Sequence, residues 1–230
     1  MAHSGFRRPD APNTEAVEDY AKALHALAKR SEGGVSTSAL AERLGVSPGS
    51  VTAMLKRMQE MGLVDHEPYR GALLTLEGER VALEVIRHHR LLESYLTEAL
   101  GMPWDRVHDE AEVLEHYISE ELEELIAAAL GDPERDPHGD PIPDRQLAVD
   151  SQPGVPLAEL PTGGGGTLAR VSDSDPEMLR FLAERGIRPG TRLTVREREP
   201  FGGSVSIEVD GTLHAIGAEL ARRMVIAGAG

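Results

Sequence analysis

Apolar residues first recur at helical spacing in Val17, Tyr20, Leu24 and Leu27, at steps of 3, 4 and 3, which predicts a helix over 13–29. Asn13 or Thr14 is placed to cap it, and Glu15 and Glu18 favour its first turns. Leu40 and Leu44 define the inner face of a short helix over 37–44, which Gly45 closes. A third helix starts at Ser47, with Pro48 at its first position, and turns Val51, Leu55 and Met58 inward until Gly62. Leu63-Val64 and Leu73-Leu74 flank a charged tip, Asp65 to Gly71, and read as a hairpin. The pattern then predicts a long helix over 76–100 and another from Pro103 or Trp104 to about Leu130, interrupted near Ser119.

After Gly131 the texture changes. Seven of the 15 prolines lie between Asp132 and Thr162, and glycine runs unbroken from Gly163 to Gly166, a linker extended at the prolines and loose at the glycines. Short β-type runs follow at Thr167–Val171, Arg192–Arg196 and Ser204–Val209, with a helical turn at Glu177–Arg185 and Pro-Gly, Gly-Gly and Asp-Gly turns between them. Strands this short suggest a small barrel. The expected architecture is mainly α over the N-terminal two-thirds, then a small β-barrel. Its parts are a winged helix-turn-helix at 1–75, a helical domain at 76–145, a Pro/Gly-rich linker at 146–166 and the barrel at 167–230.

Composition changes the picture by exclusion. The 230 residues include no cysteine, which removes disulfides, thiolate zinc sites, iron–sulfur clusters and a Cys nucleophile. No apolar run is long enough to span a bilayer and none resembles a secretory signal, so no membrane partner is expected and the location reads as cytoplasmic. Aromatic residues are 3%, too few for a single-strand stacking platform. The net charge of −15 is concentrated: residues 76–150 hold 20 acidic against 6 basic residues, whereas residues 1–75 are balanced. The acidic third either repels or awaits cations.

Two short helices around Gly45 set the second across the first, so that its N-terminal half can enter a major groove. Ser38, Ser47, Pro48, Gly49, Ser50, Thr52 and Lys56 are the candidate DNA contacts there, with Tyr69 and Arg70 at the hairpin tip. Ala53 offers nothing to a base edge, so shape is expected to supply much of the readout. One such module covers few phosphates, and homodimerisation through the later helices is the expected remedy.

His108, Glu112, Glu115 and His116 fall at i, i+4, i+7 and i+8, one face of a continuous helix, and His89 and Glu93 form an i, i+4 pair on the preceding one. Oxygen-rich ligand sets with imidazole and no sulfur suit Mn(II) or Fe(II). Clustered carboxylates are costly until a divalent cation neutralises them. Glu120, Glu121, Glu123 and Glu124 read instead as a solvated acidic face. An enzyme is disfavoured: H-E-x-x-H, G-x-S-x-G and the phosphate loop are all absent. A metal-dependent enzyme or metal-storage module remains the reading from another class.

Ala41-Glu42-Arg43-Leu44 with Ser47–Val51, His89-Arg90-Leu91-Leu92-Glu93, and Val107-His108-Asp109-Glu110-Ala111-Glu112 running to Glu115-His116 together resemble the diphtheria toxin repressor family. So does Pro137-His138-Gly139-Asp140-Pro141-Ile142-Pro143. The resemblance implies a metal-activated homodimeric repressor acting on a double-stranded DNA operator, with no small organic ligand, in which 76–145 is the dimerisation and metal-binding domain and 167–230 an SH3-like (FeoA-like) β-barrel. Asp19 and Glu112 stand where the family's iron-responsive branch carries Met and Cys, which implies the manganese-responsive branch. Mn(II) is thus the implied metal and control of manganese homeostasis genes the implied role. Fe(II) is the alternative, with Zn(II), Co(II) or Cd(II) as surrogates.

By the same resemblance, Asp19, Glu112, Glu115 and His116 form the primary site, and His89, Glu93 and His108 form a second. Asp175 and Glu177 fall nearest the barrel ligands. Lys22 departs from the manganese branch, which often has a further Glu there. A bridging carboxylate is then missing, two separated sites are implied, and Lys22 is free to pair with a carboxylate nearby. The mechanism implied is a linkage switch, in which the carboxylates repel without metal and leave the first helix loosely held.

Overall fold

The computed structural model describes residues 14–29, 33–67, 70–150 and 153–228. They form two compact units. One comprises the described residues up to His89 with Val113–Leu125 and Pro143–Ala148; the other comprises Arg90–Glu112, Ile126–Ile142 and the described residues from Val149 onward. No helix among the described residues is long and apolar enough to cross a membrane.

In the first unit, α1 (Glu15–Ala28), α2 (Thr37–Leu44) and α3 (Pro48–Glu60) pack on a hairpin of β1 (Val64–Glu67) and β2 (Gly71–Leu74). Local chemistry sets each boundary. Ser36 Oγ accepts the Ala39 N–H to start α2, Gly45 ends it in the left-handed region at φ 64°, and Ser47 Oγ accepts the Ser50 N–H before Pro48. Thr14 occupies the N-cap of α1 without a side-chain cap bond, while Asn13 lies outside the described residues. Val17, Leu24, Leu40, Val51, Leu55 and Met58 are all buried in one core. Val35 pairs with Ala72 beside the hairpin through bonds of 2.8 and 2.9 Å. A Cβ on Gly34 would stand 2.3 Å from the Arg70 carbonyl oxygen, so only glycine admits this contact.

The helices α4 (Leu76–Glu98), α5 (Val107–Leu114) and α6 (Glu120–Ala129) follow. The expected break near Ser119 is present, and Ser119 Oγ accepts the Leu122 N–H at the start of α6. However, α5 stops at Leu114, and Glu115, His116 and Tyr117 form a turn. The continuous stripe predicted through His116 therefore does not exist. No glycine or proline marks this stop, so the periodicity ran through it unopposed.

In the second unit, β3 (Val155–Pro156), β4 (Gly165–Val171), β5 (Arg192–Arg198), β6 (Val205–Val209), β7 (Thr212–Ile216) and β8 (Met224–Ala227) form one antiparallel sheet, with α7 (Pro176–Ala183) and α8 (Ala218–Arg223) alongside. The strand order is β3-β8-β4-β5-β6-β7, with β3 and β7 as the edges. The sheet is not closed into a barrel, contrary to expectation: short, alternately buried strands satisfy a core without their edges meeting. The glycine run is not loose either. Gly165 and Gly166 are strand residues, and glycine is needed there because a Cβ would meet the Leu193 and Ala227 carbonyl oxygens at 2.5 and 2.4 Å. Leu157 and Leu160, expected in the linker, are buried in the sheet's core together with Trp104.

Candidate metal centres and DNA-contacting surface

In the first unit, α1 and the turn after α5 bring Asp19, Glu115 and His116 together, with a ligand atom of each within 4.8 Å of the others. His116 Nε2 faces Asp19 Oδ1 at 3.1 Å and Glu115 Oε1 at 3.6 Å. Its Nδ1 faces Glu18 Oε2 at 2.7 Å. Burial works against the charged imidazole, but hydrogen bonds to Asp19 and Glu18 and the Glu115 charge outweigh it, raising the His116 pKa to about 10. A proton on Nδ1 held by Glu18 leaves Nε2 as the donor toward a cation, the usual carboxylate–histidine arrangement behind a metal ligand. Glu18 was not anticipated. A Glu next to Asp19 was the available signal, and it read only as first-turn charge.

Glu115 is buried, and both oxygens of its carboxylate are engaged. Lys22 Nζ donates to both oxygens, at 2.7 and 2.8 Å, and His89 Nδ1 stands 2.5 Å from Oε2. The pairing of Lys22 with a nearby carboxylate is thus realised, and α1 is tied to the turn by this ion pair and by Glu18–His116. The loosely held first helix of the linkage picture is not what this geometry presents. His88 Nε2 meets Glu123 Oε2 at 2.9 Å and its Nδ1 meets the Glu115 carbonyl oxygen at 3.2 Å, while Arg87 Nε donates to Glu123 Oε1 at 2.5 Å. Glu123 therefore departs from the solvated acidic face expected of it; Glu120, Glu121 and Glu124 remain exposed.

The second unit holds another cluster. His108 Nδ1 faces Asp173 Oδ2 at 3.2 Å and Glu93 Oε1 at 3.3 Å, and its Nε2 lies 3.7 Å from Glu112 Oε1. Hydrogen bonds to Asp173 and Glu93 raise the His108 pKa to about 10 despite burial. Glu93, fully buried, also turns Oε2 toward His138 Nδ1 at 3.5 Å. His138 Nε2 donates to the Trp104 carbonyl at 2.7 Å, and its buried Nδ1 has no hydrogen-bond partner among the described residues. Glu93, Asp136 and His138 offer ligand atoms within 4.8 Å of one another. Burial and the neighbouring Glu93 charge push the Asp136 carboxyl up. Asp136 Oδ1 meanwhile accepts the His138 and Asp140 N–H groups, which fixes the loop.

Of the expected ligands, Asp19, Glu115 and His116 come together in the first unit, and Glu93 and His108 in the second. Glu112 sits with His108, and His89 contacts Glu115 one turn before Glu93 on α4. Asp175 is not in either cluster: its carboxylate caps α7, accepting the Glu177 and Met178 N–H groups, and Glu177 is exposed. The C-terminal sheet contributes Asp173 instead, two residues after β4 ends. Asp175-Pro176 was itself a readable helix start, and would have released Asp175 from ligand duty. His138 and Asp136 lay within a motif noted for its prolines rather than its donors.

Both donor sets fit a hard or borderline divalent cation, being carboxylate and imidazole with no sulfur. Elsewhere, Ser38, Ser47, Pro48, Gly49, Ser50, Thr52, Lys56 and Arg70 are exposed along α2, α3 and the hairpin. Thr52 Oγ1 donates to the Pro48 carbonyl at 2.9 Å, and the Ser47 and Ser50 hydroxyls lie 2.9 Å apart. Tyr69 lies outside the described residues.

A winged helix-turn-helix in one chain with carboxylate–imidazole clusters defines a metal-dependent DNA-binding regulator. Residues 13–72 match the iron dependent repressor N-terminal DNA binding domain, residues 75–144 the iron dependent repressor metal binding and dimerisation domain, and residues 155–227 the FeoA domain. The iron-dependent repressor IdeR of Mycobacterium tuberculosis (strain ATCC 25618 / H37Rv) is 34% identical over 211 residues, covering 86% of this chain and 90% of the relative. The transcriptional regulator MntR of Escherichia coli O6:H1 is 39% identical over 118 residues, 51% of this chain and 75% of the relative. A solved manganese-dependent transcriptional repressor in complex with manganese is 43% identical, with a TM-score of 0.84, and the match covers 91% of this chain and 98% of that one. The chain belongs to the diphtheria toxin repressor family, whose members are metal-dependent DNA-binding repressors rather than enzymes.

Proposed function

We propose that the protein represses transcription in response to Mn(II), binding an operator as a homodimer and controlling manganese homeostasis genes. The observation that carries the metal is the sulfur-free set Asp19, Glu115 and His116, all oxygen and imidazole donors. Similarity to a manganese-bound repressor supports the same choice. Glu93, His108, Asp173, His138 and Asp136 form the proposed second centre, in which Glu93 faces both imidazoles. When bound, a divalent ion supplies the positive charge that these carboxylates otherwise draw from protonated histidines.

The residues do the coupling. Asp19 and Glu18 stand on α1, which shares a core with α2 and α3, while Glu115 and His116 stand on the turn before α6. Fixing the turn against α1 fixes the reading head against the dimerisation helices. The exposed hydroxyls at the start of α3, with Lys56 and Arg70, are the proposed phosphate contacts. Val113, Tyr117, Leu122 and Leu125 leave large apolar surface exposed on the end of α5, the turn and α6, and this is the proposed dimer face. An operator as partner places the protein in the cytoplasm.

Fluorescence anisotropy of an operator duplex, titrated under chelator, Mn(II), Fe(II) and Zn(II), tests the reading. Tight binding with Mn(II) that chelator reverses is expected, and His116→Ala is expected to lose it. Metal-independent binding would overturn it. Fe(II) is the second reading, favoured by the similarity to IdeR; a preference for Fe(II) over Mn(II) in the same titration would select it.

A further inference from the structure

The stretch 115–123 carries both halves of the proposed switch. His116 is a proposed ligand of the first centre, and Tyr117 and Leu122 belong to the proposed dimer face. His88, on α4, holds this stretch at both ends. Its Nδ1 lies 3.2 Å from the Glu115 carbonyl oxygen, and its Nε2 lies 2.9 Å from Glu123 Oε2 on α6. A carbonyl oxygen can only accept, and so can an ionised carboxylate. Burial works against the charge on Glu123, but hydrogen bonds from His88 and Arg87 hold its pKa below the ordinary value. Both His88 nitrogens therefore donate, which a neutral imidazole cannot do, and the ring is a cation between two acceptors. Arg87 braces the same carboxylate: its Nε donates to Glu123 Oε1 at 2.5 Å, and a guanidinium N–H donates to the Pro143 carbonyl at 2.6 Å. The His88, Arg87 and Glu123 side chains are all largely screened from solvent. The ring is rigid, so a shift of the Glu115 main chain is passed to α6 or leaves a buried donor unpaired.

We propose that His88 is a positioning residue that couples metal binding at the first centre to dimerisation, by holding the ligand-bearing turn and α6 at a fixed separation. The inference rests on Asp19, Glu115 and His116 being a metal centre and on the dimer face proposed above. His88 meets Glu115 at its main chain rather than its carboxylate, and it meets α6 at Glu123 rather than at the apolar face. Its effect is therefore on the link between the two events. A metal that favours the dimer must by reciprocity bind the dimer more tightly, and by the same factor.

The test measures that factor on the full chain. Sedimentation velocity over a range of protein concentrations, under chelator and at saturating Mn(II), gives the dimer dissociation constant in each state. In the parent, Mn(II) is expected to tighten the dimer by about tenfold, within the usual range for coupled sites. In His88→Gln, whose amide donates from one end only, the ratio is expected to fall toward one. The metal-free dimer constant and the Mn(II) affinity of the dilute monomer are expected to stay close to the parent's. A purely structural role would instead weaken those two constants and leave the ratio alone. An unchanged ratio in the folded variant overturns the proposal, as does a parent whose dimer constant ignores Mn(II). A parent that binds no Mn(II) overturns the reading of the centre, and one that stays monomeric throughout overturns the dimer reading. Should His88→Gln not fold, Glu123→Gln, which removes the charge at the α6 end, is expected to lower the ratio in the same way; an unchanged ratio there overturns the proposal.

Discussion

His116 illustrates how single side chains shape the proposed first centre. Its Nδ1 is held by Glu18 and its Nε2 is turned to Asp19 and Glu115. Removing the outer carboxylate while keeping its shape, by Glu18→Gln, is expected to weaken Mn(II) binding at this centre by about 10–100-fold. A metal titration monitored by calorimetry checks this, and unchanged affinity would show that Glu18 does not orient the ring.

The protonation of the same ring gives a second prediction. In the metal-free protein the His116 and His108 pKa values stand at about 10, above the ordinary 6.5. A raised folded-state value contributes stability that is complete below 6.5 and is lost as pH climbs toward 10. Chelated protein is therefore expected to melt at progressively lower temperature from pH 6.5 to pH 10. Mn(II) affinity is expected to rise over that interval, because the ion competes with these protons. Melting scans in chelator, and calorimetry in buffers of different ionisation enthalpy, read the two effects separately; a metal-free melting temperature that stayed flat would contradict the first.

Elements were legible where their signals are local. Ser47-Pro48, Gly45 and the Leu40, Val51, Leu55, Met58 set fix two helices and their crossing within about twenty residues, and the reading from the chain matched the fold there. The end of α5 was not legible. Nothing between Leu114 and Ser119 disfavours helix, and what lies there instead is a turn whose Glu115 and His116 meet partners on α1, more than 90 residues away in sequence. Glu18 and Asp173 were missed for the same reason: their partners are set by tertiary approach, not by spacing. β7 and β8 escaped the reading, though Asp210-Gly211, both at positive φ, marked the turn between β6 and β7.

At this scale α3 can be tested directly. Lys56 is exposed on it without a base-specific geometry, so Lys56→Ala is expected to weaken binding to all duplexes alike. The slope of log affinity against log salt should fall by about 0.9, one phosphate contact. Anisotropy titrations at several salt concentrations decide, and a sequence-selective loss would make Lys56 a base reader instead.

For the whole molecule, charge and apolar surface pose one problem together. A chain of net charge −15 must approach a polyanion, and its DNA-binding third is only neutral. Long-range attraction is therefore weak, and affinity has to come from engaging two half-sites at once. The proposed dimer face is the apolar stretch from the end of α5 through the turn to α6, where Val113, Tyr117 and Leu125 are each more than 60% exposed. Left in water such a patch favours association. Leu125→Glu places a charge at its centre without touching a proposed ligand, and is expected to shift the protein to monomer in sedimentation velocity. Its first centre lies within a single chain, so Mn(II) binding there should persist while operator affinity collapses toward that of one module. Metal binding and DNA binding lost together would mean that the dimer face also shapes the centre; both retained would mean that the subunits meet elsewhere.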